Sequence, residues 1–182
     1  MSRIFLVGNA AAGKTTFGRA LAKRLAQEFV DLDNYIENRY HTTINEIFAA
    51  HGEEYFRQVE ASMLREVGEF EDVVIACGGG TPCHKGNMEW MNAQGMTVWV
   101  MASRQRIVER LMRNRSRRPM FRDLDRNGVE MKVDAVMRER EHFYAAARIH
   151  FSGEELEDRR QITKTVETFI AQYLPTNGTT QR

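Results

Sequence analysis

The chain has 182 residues, 42% of them hydrophobic and 28% charged, the balance of an ordinary globule long enough to bury a core without disulfide or metal staples. A net charge of +1 excludes a global field that recruits nucleic acid or anionic membrane, so any basic site is local. Two cysteines, Cys77 and Cys83, exclude a disulfide framework and suit a reducing compartment; with no basic leader and no apolar run near membrane-spanning length, a cytoplasmic protein is expected.

Arg3–Val7 predicts a buried strand, and from residue 15 the apolar positions Phe17, Leu21 and Leu25 recur at helical spacing to about residue 28. A short strand over 29–32 follows, then the segment 33–40, and then Thr43-x-x-Glu46, a capping box that opens a helical run. Over 53–67 the set Phe56, Val59, Met63, Leu64 and Val67 follows the helix period and leaves Arg57 on another face, with Gly68 as the stop. Residues 73–77 form a continuous apolar run cut off by Gly78-Gly79-Gly80, the pattern of a strand covered on both faces, and Met96–Met101 repeats it. Helix is predicted over 103–113, an irregular segment over 114–127, helix over 129–142, a strand at Ile149–Ser152 and a final helix carrying Ile162, Val166, Phe169, Ile170 and Tyr173. Residues 176–182 read as a disordered polar tail, which leaves 1–175 as one domain. Five apolar strands alternating with helices predict an α/β fold with a parallel sheet flanked by helices, in which ligands gather beyond the carboxyl ends of the strands.

Straight after the first strand comes Gly8-Asn9-Ala10-Ala11-Ala12-Gly13-Lys14-Thr15, followed by Thr16. This is the G-x-x-x-x-G-K-(S/T) pattern of a phosphate-cradling P-loop. Its glycines let successive N–H groups and the next helix N-terminus converge on an anion, so Gly8, Ala10, Ala11, Ala12, Gly13, Lys14, Thr15 and Thr16 are the predicted ATP-binding residues. Lys14 can reach the outer phosphates and the Thr15 hydroxyl can sit on Mg²⁺. Ala11 stands where many P-loop kinases carry a further glycine; it stiffens the loop without abolishing the cradle.

Phosphoryl transfer also needs a metal carboxylate, and the central strand ends in Cys77 and Gly78 rather than an acid. Asp31 and Asp33, two apart at the end of the second strand, project to one side if the chain stays extended: one could hold Mg²⁺ through water and the other accept a proton, or both could simply cap the next helix. The glycine triplet leaves a strand end with no side chains, open to a small molecule against backbone N–H groups. Seven arginines fall between Arg110 and Arg126, of which Arg118, stiffened by Pro119, is singled out as a phosphate ligand; most of the others read as a solvated loop. Cys77, Cys83 and His84 lack a fourth ligand at suitable spacing, and buried thiols are the preferred reading over a metal cluster.

Taken together, Gly8 to Thr16, Asp31-Leu32-Asp33-x-x-Ile36-Glu37, Gly52-Glu53-x-x-Phe56-Arg57-x-x-Glu60, Gly78-Gly79-Gly80, Arg118-Pro119 and Arg140-x-x-x-Tyr144 resemble the shikimate kinase family in order and spacing. The resemblance implies a nucleoside-monophosphate-kinase-like, three-layer P-loop fold with five parallel strands, a substrate-binding region near 33–60 and a lid near 114–127. It implies transfer of the ATP γ-phosphoryl group to the 3-hydroxyl of shikimate in aromatic amino acid biosynthesis, with ATP as co-substrate, Mg²⁺ as metal and a monomeric enzyme without nucleic-acid or membrane partners. By the same resemblance Asp33 is the base, Asp31 orders Mg²⁺, Arg57 and Arg140 grip the substrate carboxylate, and Gly79 and Gly80 lie under the ring. Lys14 and Arg118 would bind phosphate, and Arg110 would stack on adenine; Arg138 is the alternative to Arg140. The sequence departs from the family at Ala11, at Met120-Phe121 after the lid proline, and at His142-Phe143 before Tyr144. Two other readings are a related kinase for another hydroxylated metabolite such as gluconate, and a nucleotide-binding regulatory protein that yields no phosphorylated small product.

Overall fold

Alternate residues of β1 (Arg3–Val7) face opposite ways, and both sides are buried. Ile4 and Leu6 pack with Phe17 and Leu21 of α1 (Lys14–Leu25) and Val166 and Phe169 of α7 (Arg159–Tyr173). Phe5 and Val7 pack with Leu32 and Ile36 of α2 (Leu32–Tyr40), Val59 and Leu64 of α3 (Ile44–Gly68) and Met91 of α4 (Asn87–Gln94). Helices therefore cover the sheet on both faces in a three-layer α/β sandwich, seen in a computed structural model that describes residues 2–84, 86–114 and 121–174. The other strands are β2 (Glu28–Asp31), β3 (Val73–Ala76), β4 (Met96–Met101) and β5 (Ile149–Ser152). All pairings are parallel, in the order β2-β3-β1-β4-β5.

Register positions the site. Leu6 pairs with Ala76, and Asp31 pairs with the same Ala76, so β1, β3 and β2 end level. The segments that follow them, at Gly8, Cys77 and Leu32, leave the sheet at one edge. On the far side Met101 pairs with Ser152, which brings Gly153 to that edge too; its N–H donates to Met101 O at 2.6 Å. A third small core, Ile107 and Leu111 of α5 (Arg104–Asn114) with Val129 and Val133 of α6 (Arg126–Tyr144), stands beside the sheet.

Several boundaries differ from the periodicity reading. The helix expected to reach residue 28 ends at Leu25, where Ala26 turns left-handed (φ 54°) and its N–H closes on Ala22 O and Lys23 O; Glu28 already belongs to β2. Leu32, expected in a strand, opens α2 because the Asp31 side chain caps it by accepting from Asn34 N at 3.4 Å. The 3₁₀ turn Thr81–Cys83 and α4 were not predicted, since Gly and Pro punctuation masked the buried pair Met88 and Met91. Arg126 and Asn127, expected in the irregular segment over 114–127, lie in the first turn of α6, capped when Asp125 Oδ1 accepts from Gly128 N at 2.8 Å. Residues 115–120 of that segment and the tail over 176–182 lie outside the described residues. Among the described residues, no helix is long and apolar enough to cross a membrane.

Candidate active site

The loop after β1 bends through backbone conformations that its glycines permit. Gly8 has φ 136° and Gly13 φ 105°, and a Cβ on Gly8 would come within 2.6 Å of Val100 O. Ala11 adopts φ 62°, a left-handed conformation that costs an L-residue roughly 1–2 kcal/mol. The departure from glycine at this position therefore keeps the glycine-like backbone. Helices α2, α3, α6 and α7 each have a side-chain cap, whereas α1 starts at Gly13 with none and has no acid in its first turn. Its first N–H groups and positive dipole end face the loop concavity, the arrangement that binds an anion. Lys14, buried, donates from Nζ to Gly8 O at 2.7 Å and Asn9 O at 2.8 Å.

A cleft of about 680 Å³ runs from this loop across the sheet edge, lined among others by Ala10, Ala11, Thr15, Thr16, Asp31, Asp33, Gly78, Gly79 and Arg110. Thr15 Oγ1 donates to Asp31 Oδ2 at 2.8 Å while Asp31 Oδ1 caps α2, so capping occupies one carboxylate oxygen and leaves the other beside Thr15. Asp33 is already inside α2, not on an extended chain as expected, yet it still faces the cleft. Burial lifts its carboxyl to about 6, helped by the negative charges of Asp31, Glu60 and Glu37 and opposed by Lys14.

The far part of the cleft is built around the glycine triplet. A Cβ on Gly80 would meet Arg57 Nη1 at 2.6 Å, and one on Gly79 would stand 3.7 Å from Arg140 Nη1, so both predicted arginines flank the glycines. Arg57 is held by Glu53, which accepts from its Nη2 at 3.1 Å, and by Glu60, which accepts from its Nη1 at 3.1 Å. The Glu60 side chain is 2% exposed, a burial tolerable for a carboxylate only with charged and hydrogen-bonding partners. Tyr144, fully buried, donates to Gly79 O at 2.7 Å and hydrogen-bonds Arg140.

Arg110 ties the P-loop to the segment after β5. Its Nε donates to Glu157 Oε1 at 2.7 Å, Nη1 to Ala11 O at 3.3 Å and Ala12 O at 3.1 Å, and Nη2 to Gly153 O at 3.0 Å and Glu154 O at 3.1 Å. All five donors of the guanidinium edge are used, which leaves its flat faces as the part able to meet a ligand.

Residues 10–171 match the family described as Shikimate kinase. The chain is 46% identical over 158 residues to the shikimate kinase of Parabacteroides distasonis, covering 86% of this chain and 90% of that one. It superposes on the crystal structure of shikimate kinase from Bacteroides thetaiotaomicron with a TM-score of 0.93 at 41% identity, covering 96% of this chain and 99% of the other. With the shikimate kinase from Acinetobacter baumannii, solved in complex with shikimate, the TM-score is 0.82 at 30% identity over 96% of each chain. The chain belongs to the shikimate kinase family.

As a shikimate kinase family member it is a P-loop phosphotransferase with ATP as co-substrate. Ala10, Ala11, Gly13, Lys14, Thr15, Thr16, Asp31, Asp33, Gly79 and Arg110 line one cleft, and Gly80 completes its glycine triplet with Arg57 and Arg140 beside it; Arg118 lies outside the described residues. Arg138, the alternative to Arg140, is unnecessary for placing a guanidinium by Gly79. Reasoning from the sequence missed several neighbours. Glu60 enters the sequence reading only as part of a motif, although an acid three residues after Arg57 on a helix is a signal for an ion pair. Leu156 and Glu157, which line the nucleotide side of the cleft, carry no motif and are brought there by the β5 to α7 connection. Cys77 is buried and Cys83 half-buried, and no cluster of three or more metal-ligating side chains occurs among the described residues.

Proposed function

We propose that this protein transfers the γ-phosphoryl group of ATP to the 3-hydroxyl of shikimate, giving shikimate 3-phosphate and ADP. The observation that carries the reading is the placement of Asp33: a carboxylate with its pKa lifted to about 6 lines the same cleft as the P-loop, and the glycine triplet flanked by Arg57 and Arg140 adjoins it. A base poised near the working pH combines a useful ionised fraction with driving force for proton uptake.

In this reading the loop N–H groups, the α1 N-terminus and Lys14 hold the β- and γ-phosphates, with Arg118 as a further phosphate ligand. Thr15 and Asp31 offer two hard oxygens already 2.8 Å apart, a donor pair suited to Mg²⁺ that takes its remaining ligands from phosphate and water. Mg²⁺ so held would neutralise phosphate charge during transfer. The flat face of Arg110 receives the adenine. Arg57 and Arg140 pair with the substrate carboxylate, for which guanidinium forks have the matching geometry, and Gly79 and Gly80 let the ring lie against the backbone. Asp33 accepts the 3-hydroxyl proton as the oxygen bonds to the γ-phosphorus and the bond to the ADP oxygen breaks. Residues 1–175 act as one domain, monomeric and cytoplasmic, with the region 33–60 on the acceptor and 114–127 as the lid.

A coupled ADP-release assay with and without shikimate tests the proposal. Release that requires shikimate and is not elicited by gluconate is expected; ATP turnover indifferent to shikimate would overturn it.

A further inference from the structure

Behind Arg57 a chain of buried polar side chains runs away from the cleft into the protein. Glu60 Oε2 accepts from Arg57 Nη1 at 3.1 Å, and Glu60 Oε1 accepts from Thr81 Oγ1 at 2.6 Å. The Thr81 carbonyl in turn accepts from Asn87 Nδ2 at 2.9 Å, and Asn87 Oδ1 accepts from Arg65 Nη1 at 2.5 Å. The Arg65 guanidinium lies 4.7 Å over the Trp90 ring and donates to Ala61 O at 3.3 Å, which anchors the far end. Thr81 and Asn87 are 0% exposed and Glu60 is 1% exposed, so no member of this middle stretch can exchange its partner for water.

The same groups converge on the reacting side. A Cβ placed on Gly78 would stand 2.8 Å from Asp33 Oδ1, 3.0 Å from Glu60 Oε1 and 3.0 Å from Thr81 Oγ1. Asp33 Oδ1, Glu60 Oε1 and Thr81 Oγ1 thus crowd one pocket-lining glycine. A buried carboxylate with one oxygen unpartnered is costly and relieves the cost by turning. Turning moves the other oxygen, the one that holds Arg57.

We propose that Thr81 and Asn87 are positioning residues for acceptor binding: a buried hydrogen-bond relay from α4 through the 3₁₀ turn that holds the Glu60 carboxylate, and through it the Arg57 guanidinium, in the orientation that meets the substrate carboxylate. The inference rests on the shikimate kinase reading above. It assigns the relay no contact with substrate, so its loss shows in acceptor affinity and not in nucleotide affinity.

The test is steady-state ADP release by the wild-type protein and by Thr81→Val, Thr81→Ser and Asn87→Leu, varying shikimate and MgATP separately, alongside thermal unfolding of each. Thr81→Val preserves shape and removes the hydroxyl; the expected result is a shikimate KM raised about tenfold with the ATP KM within twofold of wild type, and recovery to within threefold in Thr81→Ser. Asn87→Leu shows the same split in smaller measure. A shikimate KM within twofold of wild type in Thr81→Val, or equal rises in both KM values accompanied by a lowered Tm, overturns the relay. Should Thr81→Val not fold, Thr81→Ala removes the same hydroxyl without adding volume beside Gly78 and is judged by the same two outcomes. Wild-type protein without shikimate-dependent release overturns the underlying reading, whereas active wild type with an indifferent Thr81→Val overturns the inference alone.

Discussion

At the scale of single residues, Asp33 holds a conflict between stability and chemistry. Its folded-state pKa of about 6 lies above the model-peptide value of 3.8, so the native state binds its proton more tightly than the unfolded chain does. The resulting destabilisation is absent below pH 3.8, grows as pH rises, and is complete above pH 6. Asp33→Asn should therefore raise the Tm of the ligand-free protein by a few degrees at pH 7.5, a gain that shrinks toward zero near pH 4. The same variant should lose about a hundredfold or more in turnover with little change in ATP affinity, as follows from removing a general base; wild-type turnover would take that role from Asp33. For Arg57→Lys the shikimate KM should rise about tenfold or more, because an ammonium cannot satisfy Glu53 and Glu60 and also present a fork to a carboxylate. An unchanged KM would place the carboxylate elsewhere. Ala11, at φ 62°, should gain from becoming glycine: Ala11→Gly is expected to raise Tm by about 2–4 °C per kcal/mol of relieved strain, with roughly 1 kcal/mol at stake. A fall in Tm would mean that its contact with the small α5 and α6 core outweighs the strain.

At the scale of elements, α3 is two helices joined at a kink. Gly52 has φ 81° and ψ 176°, and nothing stands within 4 Å of the position its Cβ would take. Space is not the constraint there; backbone conformation is. Gly52→Ala should cost about 1–3 kcal/mol and several degrees of Tm, and thermal unfolding checks it. The kink turns the stretch after Gly52, with Phe56, Arg57 and Glu60, back toward the glycine triplet. On the nucleotide side, Arg110 joins the P-loop carbonyls to the segment after β5. Arg110→Met keeps much of the stem and removes every one of those bonds, so the ATP KM should rise at least tenfold while the shikimate KM moves less. Equal changes in the two would argue that Arg110 is only a structural strap.

At the scale of the whole molecule, the sheet order β2-β3-β1-β4-β5 sets the P-loop at the central strand, so the loop, the acid pair and the glycine triplet share one edge. Ligand linkage gives a global readout: MgATP at about a hundred times its Kd should stabilise the fold by ~2.7 kcal/mol, roughly 5–10 °C in Tm, and a chelator should remove both much of that shift and the turnover. Much of this arrangement was legible in the sequence because it rests on local chemistry. Strand and helix periodicity, glycines at the loop bend, and the acid pair after β2 each state their requirement within a few residues. The pairing of Arg57 with Arg140 was legible only by resemblance, since nothing local says that these side chains, on different helices, flank one glycine turn. The short elements between residues 80 and 96 were not legible, because Pro and Gly obscured a helix too short to show a clear period. Nor was the relay through Thr81 and Asn87, whose residue types are ordinary loop and cap residues until burial removes water from them. The phosphate cradle, the alternating α/β order and the chemistry available at the strand ends therefore follow from local residue patterns. Which side chains share a desolvated space follows from the packing of distant elements, and burial beside other carboxylates lifts the Asp33 carboxyl to about 6.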